Sequence, residues 1–331
     1  MQLNDLFTKT ENGMDTMKND ILKRKLLMRK LMQQKYLLLM ILPGLLWMLI
    51  FNYIPMYGIS VAFRTYKITD TLFCAPWNWK LAGLTYFRQF FSDAQFMAVI
   101  RNTLGINVLR LLIGFPLPIL FALLLNELKN ARFKKIVQTV SYLPHFLSWV
   151  ILGGIMITWL SESGFINDLL IKLGIQDKGV PFLAKREPVY FWSIAIISDV
   201  WKSLGWNSII YLAAITSIDP SLYESATIDG AGRIQKMLYI TVPCIQGTIA
   251  ILFVLAVGGL MTSNFDQIMV LRNSLNRPAS EVLDIFIYRM GITSQRFSYA
   301  TAAGLFRSGV ALFFLIAAEF VLRKIRGTST I

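Results

Sequence analysis

The chain has 331 residues, 55% hydrophobic and 16% charged, with a mean hydropathy of +0.54 and a formal net charge of +14. Such a composition excludes a disordered chain or an ordinary water-soluble domain and points to a polytopic membrane protein. The basic residues lie along the flanks of apolar stretches with no recognition motif beside them, so they read as membrane topology, and nucleic acid is not an expected partner.

Residues 1–35 are polar and of mixed charge, without the short basic head and apolar core of a cleavable leader, so the N-terminus is expected in the cytoplasm. Within this segment Lys23, Arg24, Lys25, Arg29, Lys30 and Lys35 interleave with Ile21, Leu22, Leu26, Leu27, Leu31 and Met32. That pattern suits an amphipathic helix lying on anionic membrane lipids, with a partner-binding helix as the alternative.

A bilayer core about 30 Å thick requires roughly 20 mostly apolar residues per helix. Six stretches qualify: 36–63, 99–126, 136–160, 189–214, 243–262 and 299–322. The expected fold is therefore all-α, one six-span domain over 36–322 followed by a cytoplasmic tail, 323–331. Segments assigned to the inside carry seventeen Lys and Arg against twelve in the outer loops, as the positive-inside rule requires. Cys74 falls in the first outer loop and Cys244 at the inner end of the fifth span, so they cannot bridge, and no metal-ligand spacing is present.

Polar residues inside the spans are the informative ones, because each is costly in hydrocarbon. Arg110 lies mid-span ahead of Pro116 and Pro118, where a kink would free carbonyls for it. The single histidine, His145, follows Pro144 and reads as a residue hydrogen-bonded beside a kink. Residues 199–208 gather Trp201, Lys202, Ser203, Gly205, Trp206, Asn207 and Ser208 into three helical turns. Aromatic faces stack on sugar C–H faces while amides and hydroxyls meet sugar hydroxyls, so this stretch suits a carbohydrate path; an interfacial aromatic belt is the equal alternative. A second polar run, Thr262, Ser263, Asn264 and Asp266, follows Gly258 and Gly259. In the last span, Arg307 has no evident acidic partner and Glu319 is the only deep acid.

The most specific stretch is 219–243, DPSLYESATIDGAGRIQKMLYITVP, long and polar between two spans. Asp219 is placed to cap a helix with Pro220 at its first position, Asp229-Gly230 to end it, and Ile234, Met237 and Leu238 to form the apolar stripe of a second helix before Pro243. No nucleotide-binding Gly-x-x-x-x-Gly-Lys-Ser/Thr loop, His-Glu-x-x-His or Gly-x-Ser-x-Gly pattern occurs, so no catalytic residue is assigned and the chain is read as a non-enzyme.

Glu224, Ala226, Gly230, Ile240 and Pro243 stand in the spacing Glu-x-Ala-x-x-x-Gly-x9-Ile-x-x-Pro, which resembles the cytoplasmic coupling loop of permease subunits of binding-protein-dependent ABC importers. Ser225 replaces an alanine of that pattern and Val242 a leucine. The resemblance implies a type I importer permease fold in the bacterial cytoplasmic membrane, with Tyr223, Glu224, Ser225, Ala226, Asp229 and Gly230 docking an ATPase. It also implies two ATPase subunits that carry the ATP and Mg, a second homologous permease forming a heterodimer, and an extracytoplasmic solute-binding protein. No cofactor is expected on this chain itself.

From about residue 35 the chain looks like the oligosaccharide branch of carbohydrate importers, whose binding proteins include lipoproteins; LLLMILPGLLWMLIFNYIPMYGISVAF and DVWKSLGWNSIIYLAAITSIDPSLYE carry that likeness. By resemblance to the more distant maltose importer, sugar contacts fall on the spans either side of the coupling loop. Gly205 and Asn264 match in type, while Trp201, Ser208 and Met261 occupy matching positions with different side chains. Trp201, Lys202 and Asn264 are expected to line the path, joined by Trp206 and Asp266, and Lys202 raises the hypothesis of acidic sugars. The rivals are a permease for a non-sugar solute, which would share the coupling loop, and a secondary transporter, which predicts inverted repeats and ion-coupling acids.

Overall fold

The computed structural model describes residues 34–70 and 80–326. The amphipathic segment 21–32, Cys74 and residues 327–331 lie outside them. Among the described residues the regular structure is helical, joined by turns and loops, with one isolated antiparallel bridge between Arg64 and Leu81.

The chain divides into two compact units, Met1–Ser60 and Val61–Ile331. The first contributes α1 (Lys35–Met48), which runs on through a π-turn, Leu49–Tyr53, into a 3-10 stretch from Ile54. Residues 34–56 are all exposed although almost wholly apolar, an arrangement that lipid tolerates and water does not.

In the second unit, α2 (Thr85–Phe91) precedes α3 (Phe96–Gly114), and α4 (Pro116–Asn126) continues α3 past the Phe115 joint. Pro116 and Pro118 occupy the first turn of α4, where a missing N–H costs little. Asn130 caps α5 (Ala131–Tyr142) by accepting from the Arg132 and Phe133 N–H groups. Next comes a break: Leu143–Phe146 is a 3-10 turn, Leu147 is extended, and Ser148 caps α6 (Trp149–Trp159). The chain turns by 96° there. The kink expected at Pro144 within 136–160 is a sharp elbow, whose size the apolar residues on both sides conceal from a hydropathy window.

After α7 (Phe165–Lys172) comes α8 (Pro188–Thr216), 29 residues without interruption. It leads into α9 (Pro220–Ile228), α10 (Arg233–Lys236) and a π-turn, Met237–Thr241. A bend of 63° separates Arg233–Cys244 from the run Gln246–Met261, whose helical part is α11 (Gln246–Gly258). Then follow α12 (Phe265–Leu271), α13 (Arg277–Ser280), α14 (Leu283–Tyr288) and α15 (Phe297–Arg326).

Three helical runs, Lys35–Phe63, Phe96–Asn126 and Phe297–Lys324, are long and apolar enough to cross a membrane alone; counting each bent pair as one span makes five. The remaining expected span coincides with α8, which has the length but whose Ser198, Asp199, Lys202, Ser203, Asn207 and Ser208 lower its hydropathy.

Three apolar clusters hold the second unit. One gathers Phe90, Met261, Phe286 and Tyr299; another Ile106, Phe191, Ile268 and Ile285; the third Leu123, Tyr211, Leu212, Ile215 and Ile245. Met237 and Val242 pack on the third cluster, which anchors the 219–243 segment to the bundle.

Candidate functional site

Two regions carry the chain's unusual polarity. In the first, α3, α8 and the end of α11 enclose a cavity of about 220 Å³, with Asn107, Arg110, Asp199, Ser203, Asn207 and Thr262 among its lining residues. Asp199, Ser203 and Asn207 follow each other at four-residue spacing and therefore share one face of α8. That periodicity was present in the sequence. Ser203 and Asn207 belong to the polar stretch 199–208 but are not among the residues expected to line the path.

The cavity wall is a connected hydrogen-bond network. Arg110 Nε stands 3.1 Å from Asp199 Oδ2, and its other nitrogens donate to Asn107 Oδ1 and Gln267 Oε1 at 3.3 and 3.4 Å. Asn264 Nδ2 donates to the other Asp199 oxygen at 3.1 Å, and Gln267 Nε2 donates to Ala195 O and Ser198 Oγ. Arg110 thus pairs across the bundle instead of satisfying carbonyls at a kink in its own helix. Asn107 Nδ2 reaches Leu260 O and Ser263 Oγ, and the Ser263 N–H donates to Asp284. Asp284 is the partner of Arg307 that the sequence did not reveal. Glu319 pairs with Arg323 at 2.8 Å, one turn further along α15.

With both members of the Arg110 and Asp199 pair on the wall, the cavity presents donors and acceptors without a surplus charge. Such a surface suits hydroxyl-rich groups, which can act as donor or acceptor towards the lining side chains.

Several sugar-path expectations are corrected by this geometry. Lys202 is only 7% exposed, and its ammonium donates to the carbonyls of Pro144, His145 and Leu147 at 3.2, 2.6 and 2.6 Å. Those bonds take up all three of its donors, so the acidic-sugar hypothesis loses its cation. Gly205 is packed against the Ser141 carbonyl and Tyr142, where any Cβ would collide. Ser208 is buried and donates to Gly205 O, and Met261 is buried in the first apolar cluster. Trp206 stacks on His145, with ring centroids 4.4 Å apart and planes inclined by 1°. His145 itself is held by this stacking, and its Nδ1 has no hydrogen-bond partner, contrary to the expected hydrogen-bonded residue.

Trp201 remains half exposed but lies off the cavity face. Asn264 stays at the site as a wall residue and as the N-cap of α12, accepting from the Gln267 N–H. Asp266, in the first turn of α12, is exposed and outside the cavity lining.

The second region is 219–243. Asp219 accepts from the Ser221 N–H at 2.9 Å, and this bond to its charged form holds the carboxyl below the usual range. Gly230, at φ +78°, ends the first helix in a left-handed conformation that side chains resist. Gln235 restarts the chain by accepting from the Gly232 N–H at 2.7 Å. Tyr223 shares a hydrogen bond with buried Thr241, and Lys236 donates to Thr227, so the two short helices are tied together. Ala226, Asp229, Gly230, Lys236 and Tyr239 line a shallow cleft between them. Around it Glu224, Ser225, Ile228, Ile234 and Leu238 are exposed, Ile228 at 87% and Tyr239 at 78%. The proposed apolar stripe is therefore split, with Met237 turned into the bundle and Ile234 and Leu238 outward.

A bundle of apolar helices with a polar cavity, joined to a rigid exposed helix pair between two spans, is the build of a membrane transport component. The family model of the binding-protein-dependent transport system inner membrane component matches residues 114–327, and the chain belongs to that family. It is 42% identical over 292 residues, 88% of each chain, to the polygalacturonan/rhamnogalacturonan transport system permease protein YteP of Bacillus subtilis strain 168. The protein LplB of the same organism is 38% identical over 88% of this chain and 89% of its own. A crystal structure of a bacterial ABC transporter that imports the acidic polysaccharide alginate contains a chain with a TM-score of 0.81 and 41% identity, covering 91% of this chain and 99% of that one. A second structure of the bacterial alginate transporter, in complex with its alginate pentasaccharide-bound periplasmic protein, matches with a TM-score of 0.81 at 40% identity.

Proposed function

We propose that this chain is the permease subunit of an ATP-driven oligosaccharide importer, crossing the membrane six times over residues 36–322 with both termini in the cytoplasm. The observation that carries the reading is the 219–243 segment: a capped helix, a left-handed glycine and an exposed surface of Glu224, Ile228 and Tyr239 tied rigidly to the bundle. Such a surface fits a partner that pushes. Tyr223, Glu224, Ser225, Ala226, Asp229 and Gly230 would meet two ATPase subunits, which hold ATP and Mg. A second, homologous permease and an extracytoplasmic binding protein complete the assembly.

Closure of the ATPases would draw the coupling helices together and open the cavity outward, and hydrolysis would reset it. At about 220 Å³ the cavity is smaller than the roughly 300–1,000 Å³ of a complete small-molecule site, so one sugar unit is held here and the second permease supplies the remaining wall. Ser203, Asn207 and Thr262 are the proposed sugar-contacting residues, with Asn107 and Asn264 behind them. Relatives that act on sugar polymers support this reading over a non-sugar solute.

Reconstitution of the chain with its permease, ATPase and binding-protein partners in proteoliposomes tests the proposal. Oligosaccharide uptake is expected to require internal ATP and the binding protein. Accumulation driven by an ion gradient without ATP would favour a secondary transporter, and uptake of another solute class with no sugar uptake would overturn the cargo.

A further inference from the structure

One face of α8 is devoted to the α5–α6 elbow. Lys202 and the residues three and four further on, Gly205 and Trp206, all touch the stretch Ser141–Trp149: Lys202 through three carbonyls, Gly205 by backbone contact, Trp206 by stacking on His145. The Lys202 ammonium also sits 5.6 Å from the centre of the Trp149 ring. The break after Tyr142 interrupts the helical ladder, with Pro144 O also accepting from the Leu147 N–H at 3.2 Å, and an apolar surrounding makes a freed carbonyl costly unless a donor reaches it. Lys202 supplies three donors at one point, which fixes the elbow angle to α8.

This face connects the two regions described above. At its lower end α8 reaches Thr216 and passes through Ser217 and Ile218 to Asp219, the cap of the coupling helix. Lys202 lies about 21 Å up the helix from Thr216, at 1.5 Å per residue. Beyond the elbow, α6 packs on α12 through Gly153 and Val270, and α12 bears Gln267 of the cavity network. The adjoining face of α8 carries Asp199, Ser203 and Asn207 of the cavity itself, Asp199 standing three residues before Lys202.

We propose that Lys202 is a positioning residue for transport: by clamping the Pro144 elbow to α8 it makes α8 and α6 move together, so that displacement of the coupling helix reaches the α12 wall of the cavity. The proposal rests on the reading of 219–243 as the ATPase-docking segment. Without the clamp, α8 slides past the elbow, and ATP hydrolysis continues while the cavity fails to follow.

The test is the ratio of sugar taken up to ATP hydrolysed in proteoliposomes of the complete transporter. Lys202→Met keeps the stem and removes the donors, whereas Lys202→Arg keeps donors. The expected result for Lys202→Met is an ATPase that still co-purifies and turns over, with uptake per ATP lowered about tenfold, inside the roughly 5–150-fold span typical of coupling between linked sites. Lys202→Arg is expected to recover most of that ratio. An unchanged ratio, or uptake and hydrolysis falling in proportion, would overturn the proposal and leave Lys202 a purely structural residue. Should Lys202→Met fail to assemble, Trp206→Leu decides: it loosens the clamp with Lys202 in place and is expected to lower the ratio by about threefold. An unchanged ratio there also overturns the proposal. Failure of the underlying docking reading has a different signature, loss of the ATPase from the purified complex being insensitive to changes at 219–243.

Discussion

The 219–243 segment and the cavity between α3 and α8 are both polar islands in an apolar chain, yet they are built in opposite ways. The segment is held by contacts a few residues apart: Asp219 to Ser221, Gly232 to Gln235, Thr227 to Tyr223. The cavity is held by contacts across the whole bundle: Arg110 to Asp199, Asn107 to Ser263, Asn264 to Asp199. A locally built surface can be presented to a partner as a rigid unit, whereas a wall assembled from four helices changes shape whenever those helices shift. That is the division of labour an alternating-access transporter needs.

Substitutions can break this contrast at either end. The largest effect is expected at Gly205, where any side chain meets the Ser141 backbone. Gly205→Val should destabilise the bundle by about 3 kcal/mol or more, seen as loss of folded protein in detergent thermal unfolding. Next comes Arg307→Leu, which leaves the partly buried Asp284 without its counter-charge and should cost about 1–2 kcal/mol, while the double change with Asp284→Asn should cost less than the two singles summed. A strictly additive pair in a double-mutant cycle would show that the ion pair does not hold the wall.

Two changes on α8 sharpen the contrast further. Asn207→Leu removes a cavity hydrogen-bonding group and should weaken sugar uptake about fivefold, the worth of one neutral hydrogen bond, while Trp201→Leu, off that face, should leave it within about twofold. Equal losses would return the sugar path to the tryptophans. The smallest effect is expected at the Asp219 cap. Because its folded carboxyl titrates below the ordinary value of 3.8, its stabilising contribution is present above that pH and is lost only as pH falls through the lower folded value. Asp219→Asn should keep the cap and abolish that acid dependence, as followed by proteolysis of the 219–243 segment against pH.

The same contrast explains what could be read before the fold was known. Asp219, Pro220 and Gly230 act within one or two turns, so their roles followed from spacing. Lys202 and its carbonyl acceptors are separated by 55 to 58 residues, and nothing along the chain announces that a lysine near two tryptophans will cap a distant proline break. Arg307 and Asp284 are only 23 residues apart, but they sit on different helices, α15 and α14, and only packing brings them together. The elbow itself was half legible: Pro144 marked a kink, while the apolar residues on both sides concealed its 96° size. The shared face of Asp199, Ser203 and Asn207 was fully legible as a four-residue repeat, beside the adjoining face of Lys202 and Trp206.

Co-purification of the ATPase with a chain carrying both Glu224→Lys and Gly230→Asp tests the central claim most directly. The first change reverses charge on the exposed surface, and the second forces a side chain into the left-handed turn that shapes it. The account predicts that permease partner and folded chain are retained while the ATPase and sugar uptake are both lost. Retention of ATPase and uptake at wild-type levels would contradict it.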